Sequence, residues 1–185
     1  KNDIKIGFKN SITGEAVSHS ETQDQVSQSL IEMLPTKEFS QPWDPLLMWK
    51  KAHPRLRATL ERGNVIRLDP GDHEVYEDLV FPETAKLVIG PGTTVRIAEG
   101  KALLARNGAE ILGTASQPVV ITSIDPDKPF GSVGIVGNKK TSTRIRHLHL
   151  SNGSDRWIEG IYLTGALSIY YNDMVTISDS VITRN

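Results

Sequence analysis

The sequence predicts a mainly β chain, a right-handed parallel β-helix preceded by an α-helical cap, and three observations carry that expectation. From Val65 onward the chain is a succession of β-rich runs, about four to six residues each, with no helical window between them. Single Gly-containing bends separate the runs, at Gly90-Pro91-Gly92, Gly100, Gly108, Gly113 and Gly165, whereas two-residue Asn-Gly or Asp-Gly hairpins are scarce. Distant segments also resemble one another. Gly108-Ala109-Glu110-Ile111-Leu112 matches Gly165-Ala166-Leu167-Ser168-Ile169, and Leu148-His149-Leu150-Ser151-Asn152 matches Val181-Ile182-Thr183-Arg184-Asn185. Bends without reversals suit a coil in which each turn holds about three short strands, stacked on their equivalents in the next turn.

The elements follow in order. Ile4, Ile6 and Phe8 alternate weakly, so residues 1–19 read as a strand or an ordered arm. Ser20-Glu21-Thr22-Gln23 has the form of a capping box, with Val26, Leu30, Met33 and Leu34 at helical spacing and Pro35 as the stop. Asp44-Pro45 reads as an N-cap followed by an N1 proline, opening a helix through Leu46, Leu47 and Trp49. His53-Pro54 restarts it, Leu56 and Leu60 share a face, and Gly63 is the expected C′ residue. Residues 20–62 are therefore expected to be helical. This divides the chain into an arm and helical cap over 1–63 and a coil over 64–185.

Strands are expected at Val65–Leu68, Asp78–Phe81, Lys86–Ile89, Thr94–Ile97, Ala102–Ala105, Ala109–Leu112, Val119–Thr122 and Val133–Val136. They continue with Ile145–Leu150, Gly160–Leu163, Leu167–Tyr170, Val175–Ile177 and Val181–Thr183. Asn152 and Asn185 each close a strand. Such an Asn either forms a plain turn or bonds the backbone of its own corner and stacks on its neighbours.

Composition narrows the chemistry. The 185 residues carry 21 Lys+Arg against 22 Asp+Glu and no Cys. A formal charge of −1 supplies no global attraction to nucleic acid or to an anionic membrane. Without Cys there is no thiolate catalysis, Cys-ligated zinc, iron–sulfur cluster or disulfide. The longest apolar runs, such as Leu46–Trp49, fall far short of the roughly 20 residues of a membrane helix. The chain starts at Lys1 with no signal-peptide pattern, which leads us to expect a processed piece of something longer.

Pro70-Gly71-Asp72-His73-Glu74-Val75, Asp78-Leu79-Val80-Phe81-Pro82 and Leu87-Val88-Ile89-Gly90-Pro91-Gly92-Thr93-Thr94-Val95 together resemble the opening coil of bacterial right-handed β-helix repeat proteins. Leu112-Gly113-Thr114-Ala115, Pro118–Ser123 and Leu163-Thr164-Gly165-Ala166 extend the likeness in order, over about residues 64–185. Within that pectate-lyase-like superfamily, the similarity runs to β-helix regions beside spore-coat-type atypical kinase domains of surface proteins. It implies a parallel β-helix and an extracellular or cell-surface location. No kinase motif is present, and residues 1–62 resemble no known family.

Several constellations are candidates for chemistry. Arg144, Arg146, His147 and His149 form the densest polar cluster, followed by Asp155, Arg156 and Trp157. In pectin- and alginate-acting relatives, an outward strand lines a groove, so the resemblance implies His149 or Arg146 as base and Arg144 as carboxylate clamp. The simpler reading makes them solvated positions alternating with inward Ile145, Leu148 and Leu150. Asp125 and Asp127 offer two oxygen donors for a cation, but Asp-Pro turn chemistry explains them without metal. Lys139 and Lys140 offer a basic patch for acidic glycan, and Trp157 with Arg156 a sugar-stacking site; Trp43 and Trp49 are expected to pin the helical segment. No cofactor motif is found.

Two functions remain at this stage. The first is a non-catalytic surface or scaffold module touching acidic polysaccharide. The alternative is a polysaccharide lyase or epimerase built on an Arg144–His149 strand. Neither reading involves nucleic acid or membrane insertion. The last coil is also expected to leave Val175, Ile177, Val181 and Asn185 as an uncapped surface, completed by the downstream part of the same gene product or by a second subunit.

Overall fold

The computed structural model describes residues 4–9, 16–21 and 44–184. They fall in two compact units, Lys1–Trp43 and Asp44–Asn185. In the first, strands β1 (Ile4–Lys9) and β2 (Ala16–Glu21) pair antiparallel, with Ile6 opposite His19. Ser20 therefore sits inside a strand and not at the N-cap of a helix. Gln23, Val26, Leu30, Met33, Leu34 and Trp43 lie outside the described residues.

The second unit opens with helix α1 (Pro45–Ala52). The Asp44 carboxylate accepts hydrogen bonds from the backbone N–H groups of Leu46 at 2.9 Å and Leu47 at 3.2 Å, satisfying two of the helix's unpaired donors. Leu46 and Trp49 are buried. Trp49 stacks on Phe81 with ring centroids 4.8 Å apart, and its Nε1–H donates to the Val80 carbonyl at 2.8 Å.

The helix does not resume after His53. Pro54 disfavours helical backbone at the residue before it, and Ala58–Glu61 becomes strand β3, paired antiparallel with β4 (Val65–Leu68). Gly63 at φ +80° and Asn64 at φ +58° turn this hairpin, so Gly63 closes a strand pair and not a helix.

From β4 the chain visits three parallel sheets in rotation. The first circuit is β4, β5 (Gly71–Val75) and β6 (Leu79–Val80), and the second is β7 (Lys86–Ile89), β8 (Thr93–Ile97) and β9 (Leu103–Ala105). A third follows as β10 (Ala109–Leu112), β11 (Val119–Ser123) and β12 (Val133–Val136). The fourth uses β13 (Ser142–Arg146), β14 (Leu148–Ser151) and β17 (Leu167–Tyr170), and β18 (Met174–Ser178) with β19 (Val181–Thr183) begins another. The sheets run β18-β13-β10-β7-β4-β3, β19-β14-β11-β8-β5 and β17-β12-β9-β6. Every pair except β3·β4 is parallel within these three sheets.

In-register pairing stacks like side chains into columns. Leu68, Ile89, Ile111, Ile145 and Ile177 form one. His73, Val95, Ile121, Leu150 and Ile182 form a second, and Leu79, Leu103, Val133 and Leu167 a third. Alternate residues point into one core, each fully buried Leu or Ile contributing about 1.5–3 kcal/mol. The corner after the first sheet is tight. A Cβ on Gly113 would lie 2.5 Å from the His147 carbonyl oxygen and 2.7 Å from the Val119 nitrogen, which only Gly avoids.

The register corrects two sequence alignments. Gly108–Leu112 belongs to the first sheet and Gly165–Ile169 to the third, so their likeness is not positional equivalence. Val181 lies opposite His149 and Ile182 opposite Leu150, one residue away from the sequence match. That slip exchanges the faces, making Ile182 the inward residue.

Candidate functional site

One antiparallel hairpin interrupts the parallel stack. Strands β15 (Arg156–Ile158) and β16 (Ile161–Leu163) are joined by Glu159 and Gly160, whose φ values of +46° and +76° are those of a type I′ turn. On one side Ile158 and Leu163 pack with Ala102 and Leu104, forming a second apolar cluster on the outer face of the β17-β12-β9-β6 sheet. Gly134 makes room for it, since a Cβ there would lie 2.8 Å from Leu163 Cδ1. Polar contacts tie the hairpin down further. Arg156 pairs with Asp78 at 3.0 Å, and Arg106 bridges Glu159 at 2.7 Å and Glu83 at 2.5 Å.

The period-2 alternation of the strands places Trp157 and Tyr162 on the opposite side. They are cross-strand partners with ring centroids 5.2 Å apart and planes 30° from parallel, and they are 65% and 41% exposed. The Tyr162 hydroxyl donates to Asp155 at 2.5 Å, and Ser154 donates to the same carboxylate at 3.1 Å. This Tyr162 bond holds the Asp155 carboxyl below its ordinary range and pushes the Tyr162 hydroxyl up. Tyr170 donates to the Tyr162 carbonyl at 3.1 Å and lies 3.4 Å from the Thr164 hydroxyl. The result is an ordered aromatic face with a polar rim.

The remaining candidates are dispersed. His147, at φ +48°, breaks the expected Arg144–His149 strand into β13 and β14, which belong to different sheets. Arg144 faces out from the first sheet and binds Glu110 at 2.9 Å, while Arg146 lies 3.7 Å from Asp179. His149 faces out from the second sheet, between Val120 and Val181. Arg144 and His149 therefore do not share a strand, whereas Arg144 and Arg146 both face outward from β13. Ile145, Leu148 and Leu150 do point inward and are buried.

Arg156 lies on the side of the hairpin opposite Trp157. Lys139 and Lys140 occupy the exposed loop after β12, where Lys139 N–H bonds the Tyr171 carbonyl and Lys140 N–H bonds Asn138 Oδ1. Asp125 accepts the Asp127 N–H at 3.0 Å, an Asx turn, and Lys128 lies 3.3 Å from Glu99. Among the described residues, no three His, Asp or Glu side chains gather to hold a metal ion, and no helix is long and apolar enough to cross a membrane. Asn152 Nδ2 bonds Ser123 Oγ and the Pro126 carbonyl, reaching the preceding circuit and not its own corner.

At the β18–β19 edge, Val175 stacks on Thr143, Ile177 on Ile145 and Ile182 on Leu150, and all three outer residues are exposed. Asn185 lies outside the described residues. A separate cavity of about 250 Å³, which no sequence motif announced, lies between Ala52–Leu56 and Glu74–Leu79. Burial pushes its His53 below the ordinary range, opposed by Glu77, and Tyr76 donates to Glu74 at 2.7 Å.

Tyr162 completes an aromatic site of which Asp155 and Trp157, but not Tyr162, stood out in the sequence. The missed signal was Glu159-Gly160, a two-residue hairpin turn without the usual Asn or Asp. Compared with known proteins, the chain matches no family model, no curated protein and no solved structure.

Proposed function

We propose that residues 64–185 form a right-handed parallel β-helix related to bacterial β-helix repeat proteins, and that it serves as a non-catalytic scaffold extended by strand addition at β18 and β19. The rotation through three parallel sheets supports the coil, and the strong right-handed preference of parallel crossovers supports its hand. The carrying observation is at the edge. Columns buried throughout the stack emerge at Ile177 and Ile182, beside strand amides and carbonyls available for pairing. A further layer of strands carrying β-branched residues in these columns would cover them.

In the isolated chain the same surface is available to a second copy. Native mass spectrometry and sedimentation should show concentration-dependent association of the 185-residue chain. The double variant Ile177→Lys, Ile182→Lys should be monomeric with its circular dichroism retained. A wild-type chain that stays monomeric up to high concentration would overturn the docking edge.

A further inference from the structure

The geometry points to a carbohydrate-binding platform on the β15–β16 hairpin, with Trp157 and Tyr162 as the stacking face, Asp155 as the hydroxyl acceptor, and neutral sugars as the ligand class. It is independent of the docking edge, because none of these residues belongs to β18 or β19.

A freely rotating surface Trp needs no explanation, but this one is held. Its strand is pinned from beneath by Ile158, by the Arg156–Asp78 pair and by the Arg106–Glu159 pair, and its ring rests against Tyr162. The fold thus presents a stacked aromatic pair to water, with the Trp157 ring the more exposed of the two and little ordering left to do on binding. An aromatic face with a wet rim suits a ligand that is apolar on one face and polar around its edge. A pyranose ring has that shape. Its axial C–H groups lie on the rings while its equatorial hydroxyls reach Asp155, Ser154 and the Tyr162 oxygen.

Charge selects among sugars. The acceptor at the rim is a carboxylate, and the two guanidiniums that anchor the hairpin are paired with Asp78, Glu83 and Glu159. A uronate carboxyl placed beside Asp155 meets a like charge, which costs affinity. This argues for neutral glycans over the acidic ones expected from the sequence. The same charge disfavours a nucleic acid stacked on these rings, because its phosphates would lie near Asp155. A proline-rich peptide is the rival that aromatic stacking alone does not separate.

The test uses the whole chain and titrates Trp fluorescence and calorimetry with neutral hexasaccharides of β-1,4-glucan, β-1,3-glucan, mannan and xylan. Hexagalacturonate and a proline-rich decapeptide serve as comparators. We expect saturable binding of at least one neutral hexasaccharide, weakened tenfold or more by Trp157→Ala and by Asp155→Ala, and largely kept by Trp157→Phe. Thermal midpoints should barely move, since the altered side chains are exposed. Failure of every neutral hexasaccharide to bind at millimolar concentration overturns the proposal, as does tighter binding of hexagalacturonate or of the peptide. Equal binding by wild type and Trp157→Ala overturns it as well.

Discussion

Ile145 and Ile177 are direct neighbours on paired strands β13 and β18, in the same column of the stack, yet Ile145 is 1% exposed and Ile177 is 47% exposed. Identical side chains in equivalent positions therefore carry different energies. In dilute, monomeric protein, Ile145→Ala should lower stability by about 2–5 kcal/mol, because it leaves a cavity between two layers. Ile177→Ala should cost about 1 kcal/mol or less. Urea unfolding midpoints compare the two. Equal losses would mean that the Ile177 face is covered even in the monomer.

Trp49 closes the opposite end of the stack. It covers Phe81 and donates to the Val80 carbonyl, so the helix that carries it acts as a lid on the first circuit. Trp49→Ala should cost about 3–5 kcal/mol. Trp49→Phe keeps a ring against Phe81 and loses the hydrogen bond, a smaller cost of about 1 kcal/mol for the bond. Thermal denaturation followed by far-ultraviolet circular dichroism would rank them. A Phe variant as damaged as the Ala variant would show that the hydrogen bond, and not ring packing, holds the lid.

Glu110 gives the first sheet an acid-sensitive clasp. Lys86 at 2.6 Å is the main cause, with Arg144 at 2.9 Å, and together they hold the Glu110 carboxyl below its ordinary range. The unfolded chain then binds this proton more readily than the folded one. The clasp is fully present above the usual glutamate range, about pH 4.3, and is lost as pH falls through the lower folded value. Stability should decline across that acid interval with a shallower slope in Glu110→Gln. Parallel pH profiles of the urea midpoint decide this, and identical slopes would remove Glu110 as a contributor.

Much of the fold was legible. Four- to six-residue apolar runs cut by Gly or Asn are local signals, and they placed strands such as β7, β10 and β12 because a backbone running straight between bends needs only its own residues to declare it. The same holds for Asp44-Pro45, whose cap chemistry is complete within four residues. Local reading failed where a segment had two local answers. Ala58–Glu61 continues a helical pattern on paper, and its pairing with β4 settled it as a strand. Ser20 carries a capping-box signature and lies in β2 opposite Lys5.

The candidate site was less legible, for a physical reason. Trp157 was visible as an exposed-type aromatic, but its value depends on Tyr162 across a turn and on Asp155 beside it, relations set by the cross-strand register. Similarly, Arg144 and His149 are five residues apart and belong to different sheets, because His147 takes a left-handed conformation that no residue type there demands.

By itself, then, the sequence determined the strand-rich class, the bends, the helix start at Asp44-Pro45 and the absence of cysteine chemistry, all of which depend on residues within a few positions of one another. Only the tertiary structure decided which strands stack, which alternate faces turn inward, and where apolar columns meet water. Those properties depend on partners 20 to 35 residues away, as in Ile66 against Leu87 and Ile111 against Ile145. A one-residue change of register reverses inside and outside, which is why Val181 and Ile182 exchange roles between the sequence match and the fold.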